Sequence, residues 1–128
     1  MLAFHMFCDA SREAAEAVAR APLEGYLRSL VEAASDWTAG GLGSADYPNY
    51  DKIIEGLRAE TFESQVAKGA AWIGTPAEIA EQIRDYQRLT DGFEVASLQV
   101  NFNTVPYDAA ERSLRLFARE VMPHFADL

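Results

Sequence analysis

Few residues in this chain combine a reactive type with a suggestive place, and most of them follow apolar runs: Cys8 and Asp9, Gly74 and Thr75, Asn101 and Asn103. A thiolate could act as a nucleophile and a carboxylate as a base. Free N–H groups at a helix start could face an anion, and asparagine amides could hydrogen-bond a ligand. Trp72, two residues before Gly74, could stack on a flat ring.

Each candidate also has a plainer reading. A cysteine with no His or Lys beside it in sequence is more often a small buried hydrophobe. Asp9 can cap a following helix, Thr75 does the same for the helix that Pro76 opens, and asparagines before a turn mostly serve the turn. A strand Trp is more often core. His5 sits inside an apolar run and His124 follows a proline. Neither has a partner at metal-ligand or triad spacing, so both read as structural. Glycine-rich dinucleotide loops, Walker loops, paired-cysteine metal sites and nucleophile elbows are all missing from the sequence.

The elements that would position these groups are legible from periodicity. MLAFHMFC, residues 1–8, is apolar apart from His5, as a parallel strand covered on both faces is. DASREAAEAVAR, 9–20, reads as a helix capped by Asp9 or Ser11, with Pro22 stopping it or starting the next. In residues 22–37 the stripe Leu23, Tyr26, Leu27, Leu30, Val31 and Ala34 predicts an amphipathic helix. Residues 38–49, TAGGLGSADYPN, collect glycine, serine and proline and predict a long Gly-rich loop, a candidate lid, inserted between helices. Helical spacing resumes over 50–68 through Ile53, Ile54, Leu57, Phe62 and Val66. The apolar run 70–74 then meets Thr75-Pro76-Ala77-Glu78, a capping box with proline at the first helical position. Ile79, Ile83 and Tyr86 give that helix its buried stripe, and Asp91-Gly92 ends it. A third strand, near 94–102, precedes a helix over 108–125 with the stripe Ala110, Leu114, Phe117 and Val121.

Strands near 2–8, 70–74 and 94–102, each separated by helix, predict an α/β fold: a partial (β/α)8 barrel-like unit, one domain over residues 1–128. Three strands cannot close an eight-stranded barrel, and a three-stranded parallel sheet has two edges that something must cover.

Composition sets bounds. Eleven Lys and Arg against twenty Asp and Glu give a net charge of -9, which repels nucleic acid and anionic membranes. A single cysteine excludes an intramolecular disulfide and fits a reducing, cytoplasmic setting. The N-terminal run carries no leading Lys or Arg and is too short to span a membrane.

Gly74-Thr75-Pro76-Ala77-Glu78-Ile79, a strand about twenty residues later, and RSLRLFAREVMPHF over 112–125 together resemble the C-terminal end of the bacterial luciferase-like flavin-dependent monooxygenases. The matched positions of the last helix are Ser113, Leu114, Leu116, Phe117, Ala118, Glu120, Val121, Met122 and Pro123. The resemblance implies a (β/α)8 barrel, of which this chain holds the last units. It implies oxidation of an organic substrate by O2 with reduced FMN or a deazaflavin supplied by a reductase. On that footing Trp72, Gly74, Thr75, Asn101 and Asn103 are the candidate cofactor-binding residues. Catalytic residues are unassigned, no metal is implied, and the side chains that hold the flavin phosphate in the family lie upstream of anything matched here. The isolated chain is then expected to be incomplete, a homodimer or the partner of a complementary half-barrel. The rival expectation is a non-catalytic, self-associating remnant whose edges a second copy buries.

Overall fold

A computed structural model describes residues 2–39 and 49–126. In chain order the elements are strand β1 (Leu2–Cys8), helices α1 (Arg12–Ala39), α2 (Tyr50–Arg58) and α3 (Phe62–Ala67), strand β2 (Ala71–Gly74), helix α4 (Pro76–Leu89), strand β3 (Ala96–Gln99) and helix α5 (Tyr107–Glu120). A 3-10 turn, Met122–Phe125, follows. The fold is α/β, with three parallel strands alternating with helices, as the sequence predicts.

The strand order is β2-β1-β3. β1 is central, and it is buried from Phe4 through Cys8 with apolar residues on both faces, as a strand covered on both sides is. His5, Met6, Phe7 and Cys8 pair with Ala71, Trp72, Ile73 and Gly74, while Leu2 to His5 pair with Ala96 to Gln99. The step from β1 to β2 and the step from β2 to β3 run in opposite directions, so right-handed crossovers put their helices on opposite faces. One core layer packs Phe7 and Ile73 against Ala15, Ala19 and Leu23 of α1 and Phe62 of α3. The other packs Phe4, Met6 and Trp72 against Ile79 and Ile83 of α4 and Phe117 of α5.

Several boundaries differ from the sequence expectation, the last helix among them: expected over 108–125, it ends at Glu120 before the 3-10 turn. α1 runs straight through Pro22. Ala15, Ala19, Leu23 and Leu27 form one unbroken buried stripe across it. Burying leucine side chains at ~1.5–3 kcal/mol each offsets the ~3 kcal/mol that an interior proline costs. Thr38 and Ala39 of the expected loop belong to α1; residues 40–48 lie outside those described. The single helix expected over 50–68 is two, because Thr61 and Ser64 form a reciprocal capping box that starts α3 afresh. The third strand shrinks to Ala96–Gln99, since beyond it Phe102 turns into the α1 layer. In α5 Leu114 is exposed and Ser113 is buried instead, so the stripe runs Ala110, Ser113, Phe117, Val121.

One sheet edge is closed within the chain. The Gln82 side chain accepts from the Ile73 N–H and donates to the Ile73 carbonyl, both at 3.1 Å, standing where a neighbouring strand would. No helix among the described residues is long and apolar enough to cross a membrane.

Candidate functional site

In parallel α/β sheets the C-terminal strand ends are where sites form. Here β1 and β2 end side by side: Cys8 pairs with Gly74, and the Asp9 N–H donates to the Gly74 carbonyl at 3.1 Å. Gly74 has φ +148°, and a Cβ there would lie 2.6 Å from the Glu78 carboxylate, so only glycine lets that carboxylate reach back. Glu78 accepts from the Thr75 N–H at 2.9 Å while the Thr75 hydroxyl accepts from the Glu78 N–H at 3.3 Å, completing the expected capping box. The same carboxylate takes the Arg12 guanidinium at 2.5 and 2.9 Å. The Thr75 N–H, helped by Arg12, holds Glu78 below the usual carboxylate range. One carboxylate thus ties the β1–α1 connection to the start of α4, and an anion approaching those N–H groups meets a negative charge already in place.

Cys8 is 2% exposed, and its thiol is pushed up to about 12, first by burial and then by the negative charges of Glu120 and Asp9. It is a packed thiol, not a thiolate. Ser11 caps α1, its Oγ accepting from the Ala14 N–H at 3.1 Å, while Asp9 Oδ1 accepts from the adjacent Ala10 N–H. The cap expected at Asp9 or Ser11 is therefore Ser11.

β3 ends opposite His5, three residues short of the end of β1. Past that point the Cys8 N–H has no strand partner and donates to Ser113 Oγ at 2.8 Å. The connection from β3 to α5 carries Asn101 and Asn103, both exposed, on either side of buried Phe102. Asn103 is left-handed at φ 50°, its side chain lying over Gly25 of α1, where a Cβ would come within 2.8 Å of its Oδ1. Phe102 and Tyr26 present ring edges to His5, at 4.9 and 4.5 Å between centroids. His5 is 7% exposed, its Nε2 has no hydrogen-bond partner among the described residues, and burial lowers its pKa. His124 is exposed. No cluster of three or more metal-ligating side chains occurs among the described residues.

Of the five candidate cofactor contacts, Gly74 and Thr75 are adjacent at the strand ends, and Asn101 and Asn103 lie in the connection leaving the other side of β1. Trp72 faces the α4 and α5 layer. Its indole is 1% exposed, stacked on Phe4 at 3.9 Å and 16°, with Phe93 beyond. It forms part of the wall of an apolar groove of about 550 Å³ between α4, β3 and the 3-10 turn, shared with Ile83, Phe93, Leu98, Phe117 and Phe125. The groove was not read from the sequence, because its walls come from five elements whose facing residues look like ordinary core stripes. Arg12, Gln82 and Ser113 were missed as partners for the same reason: the spacing signals helix faces, not cross-chain hydrogen bonds.

No protein-family model matches the chain, and no curated protein does. Among solved structures it is similar to the monooxygenase RslO1 from Streptomyces bottropensis, with a TM-score of 0.59 and 22% sequence identity over 97% of this chain and 30% of that one. At that identity the likeness is one of fold. The chain spans under a third of the length of this solved structure.

Proposed function

We propose that this chain is the C-terminal segment of a luciferase-like flavin-dependent monooxygenase, which oxidises an organic substrate with O2 and reduced FMN or a deazaflavin. The observation that carries the reading is the agreement between two independent likenesses. The motifs at 74–79 and 112–125 resemble that family's C-terminal end, and the fold resembles part of a monooxygenase over nearly the whole chain.

The residues present fit a flavin only in part. The exposed amides of Asn101 and Asn103 offer neutral hydrogen bonds to a ring edge, whereas the Thr75 N–H and the Gly74 carbonyl are engaged by Glu78 and by the Asp9 N–H. Glu78 at the start of α4 opposes a phosphate there, and Arg12, the cation beside it, is already paired. The phosphate must be held by groups outside this segment. The segment's part is to supply a wall and exclude water; the oxygen chemistry is the cofactor's. No described side chain is assigned a proton-transfer role.

The second reading, a non-catalytic remnant that associates with itself, draws support from β3. Its outer edge has no strand partner among the described residues, and Val95 beside it is 52% exposed. Titration with reduced FMN and sedimentation of the purified chain separate the two. The monooxygenase reading expects weak uptake of flavin at the strand ends. A dimer that ignores flavin supports the remnant and contradicts the segment.

A further inference from the structure

His5 sits on the central strand with its imidazole against two rings, Tyr26 from α1 and Phe102 from the connection between β3 and α5, at interplanar angles of 63° and 80°. In the sheet its register partners are Ala71 and Gln99. Neither a carboxylate nor a cation is among these four neighbours, and the titratable group among them is the Tyr26 phenol. His5 Nε2 is buried without a hydrogen-bond partner among the described residues.

A neutral imidazole can leave one nitrogen bare, whereas a protonated one is a donor at both nitrogens and carries a charge. Here that charge meets rings on two sides and no acceptor for Nε2–H, and an unpaired buried charge is costly. The cost is relieved by whichever neighbour moves most cheaply. Tyr26 belongs to a 28-residue helix whose stripe Ala15, Ala19, Leu23 and Leu27 is buried. Phe102 stands in a short connection between exposed Asn101 and exposed Asn103, with Thr104 beyond them exposed as well. Over 101–105 the backbone hydrogen bonding among the described residues is local, from the Val105 N–H to the Phe102 carbonyl at 3.2 Å. A segment tied so lightly opens at a fraction of the free energy that the whole chain needs.

We propose that His5 is a pH-operated latch: its protonation releases Phe102, and residues 101–104 lift off the sheet while the strands and helices stay folded. Asn101 and Asn103 move with Phe102, so the strand ends beside them change shape with protonation. The latch works without flavin.

Burial holds the closed imidazole below its ordinary 6.5, with no neighbouring charge contributing, and lifting returns it to water. Each pH unit below 6.5 should therefore raise the open population about tenfold, the slope of one proton. The reporter is the Val105 amide. Its deuterium exchange, corrected for the intrinsic pH dependence of exchange, should lose protection about tenfold per unit between ~pH 6 and ~pH 5. That exchange should ignore low urea, because little surface is exposed, while the Phe7 amide in the centre of the sheet responds to urea as the whole chain does. His5→Phe should make the protection of Val105 independent of pH. Phe102→Leu, which loosens the closed form, should raise the His5 ring titration towards 6.5, followed in a His124→Gln background so that one imidazole remains. Protection at Val105 that ignores pH, falls equally in His5→Phe, or responds to urea as Phe7 does overturns the proposal, as does an unmoved His5 titration in Phe102→Leu.

Discussion

The backbone N–H of Cys8 donates to the side chain of Ser113, 105 residues further along the chain, at 2.8 Å. The bond does for the central strand what a longer β3 would do, and it fixes α5 against β1. Ser113 is 1% exposed, its hydroxyl lying 3.8 Å from Met6 Sδ. Ser113→Ala leaves a buried N–H without an acceptor and should cost about 1–3 kcal/mol of unfolding free energy. Urea denaturation checks this, with exposed Arg115→Ala as the comparison that should change the midpoint little.

Gln82 stands in for a strand at the β2 edge. Gln82→Leu keeps the volume and frees both backbone groups of Ile73, so the Ile73 amide should exchange with deuterium at least about tenfold faster. Amide exchange followed by NMR would show it, and an unchanged rate at Ile73 would mean the edge is protected by something else.

His5 sets a pH dependence. Burial lowers its pKa from 6.5, so the folded chain keeps it neutral while the unfolded chain protonates it below that value. Its contribution is fully present above pH 6.5 and is lost as pH falls, until the folded form protonates too. The groups packed on it are the rings of Tyr26 and Phe102. Stability should therefore decline from pH 7 towards pH 5 in the parent chain and far less in His5→Phe, measured as the urea midpoint against pH.

Cys8 should be inert. With its thiol pushed up to about 12 and its side chain buried, reaction with a disulfide reagent at pH 8 should be slow in the folded chain and complete at once in denaturant. Rapid labelling of the folded chain would show that β1 opens from α5.

The local chemistry of the fold is readable in sequence wherever it rests on short-range rules. Thr75-Pro76-Ala77-Glu78 announces a capped helix, and the structure has both halves of the box. Asp91-Gly92 announces a turn and has both residues at positive φ. What could not be read depends on the whole molecule. Pro22 stays helical because a buried stripe on both sides of it outweighs its local preference. The placing of β1 between β2 and β3 depends on pairing across the whole sheet, and alternation along the chain does not specify it. The candidate site divides the same way. Gly74 and Thr75 stand together as their spacing implies, whereas Trp72, equally close in sequence, points to the other layer's apolar groove.

The central claim is that this chain forms one wall of a flavin site and lacks the groups that hold the phosphate. It is tested most directly by 15N–1H spectra of the chain under anaerobic conditions with increasing reduced FMN. The account predicts weak, saturable shifts confined to the amides of Gly74, Thr75, Asn101 and Asn103, with the Trp72 indole resonance unmoved. No shift at a large excess of reduced FMN, or shifts that avoid the strand ends, would contradict it.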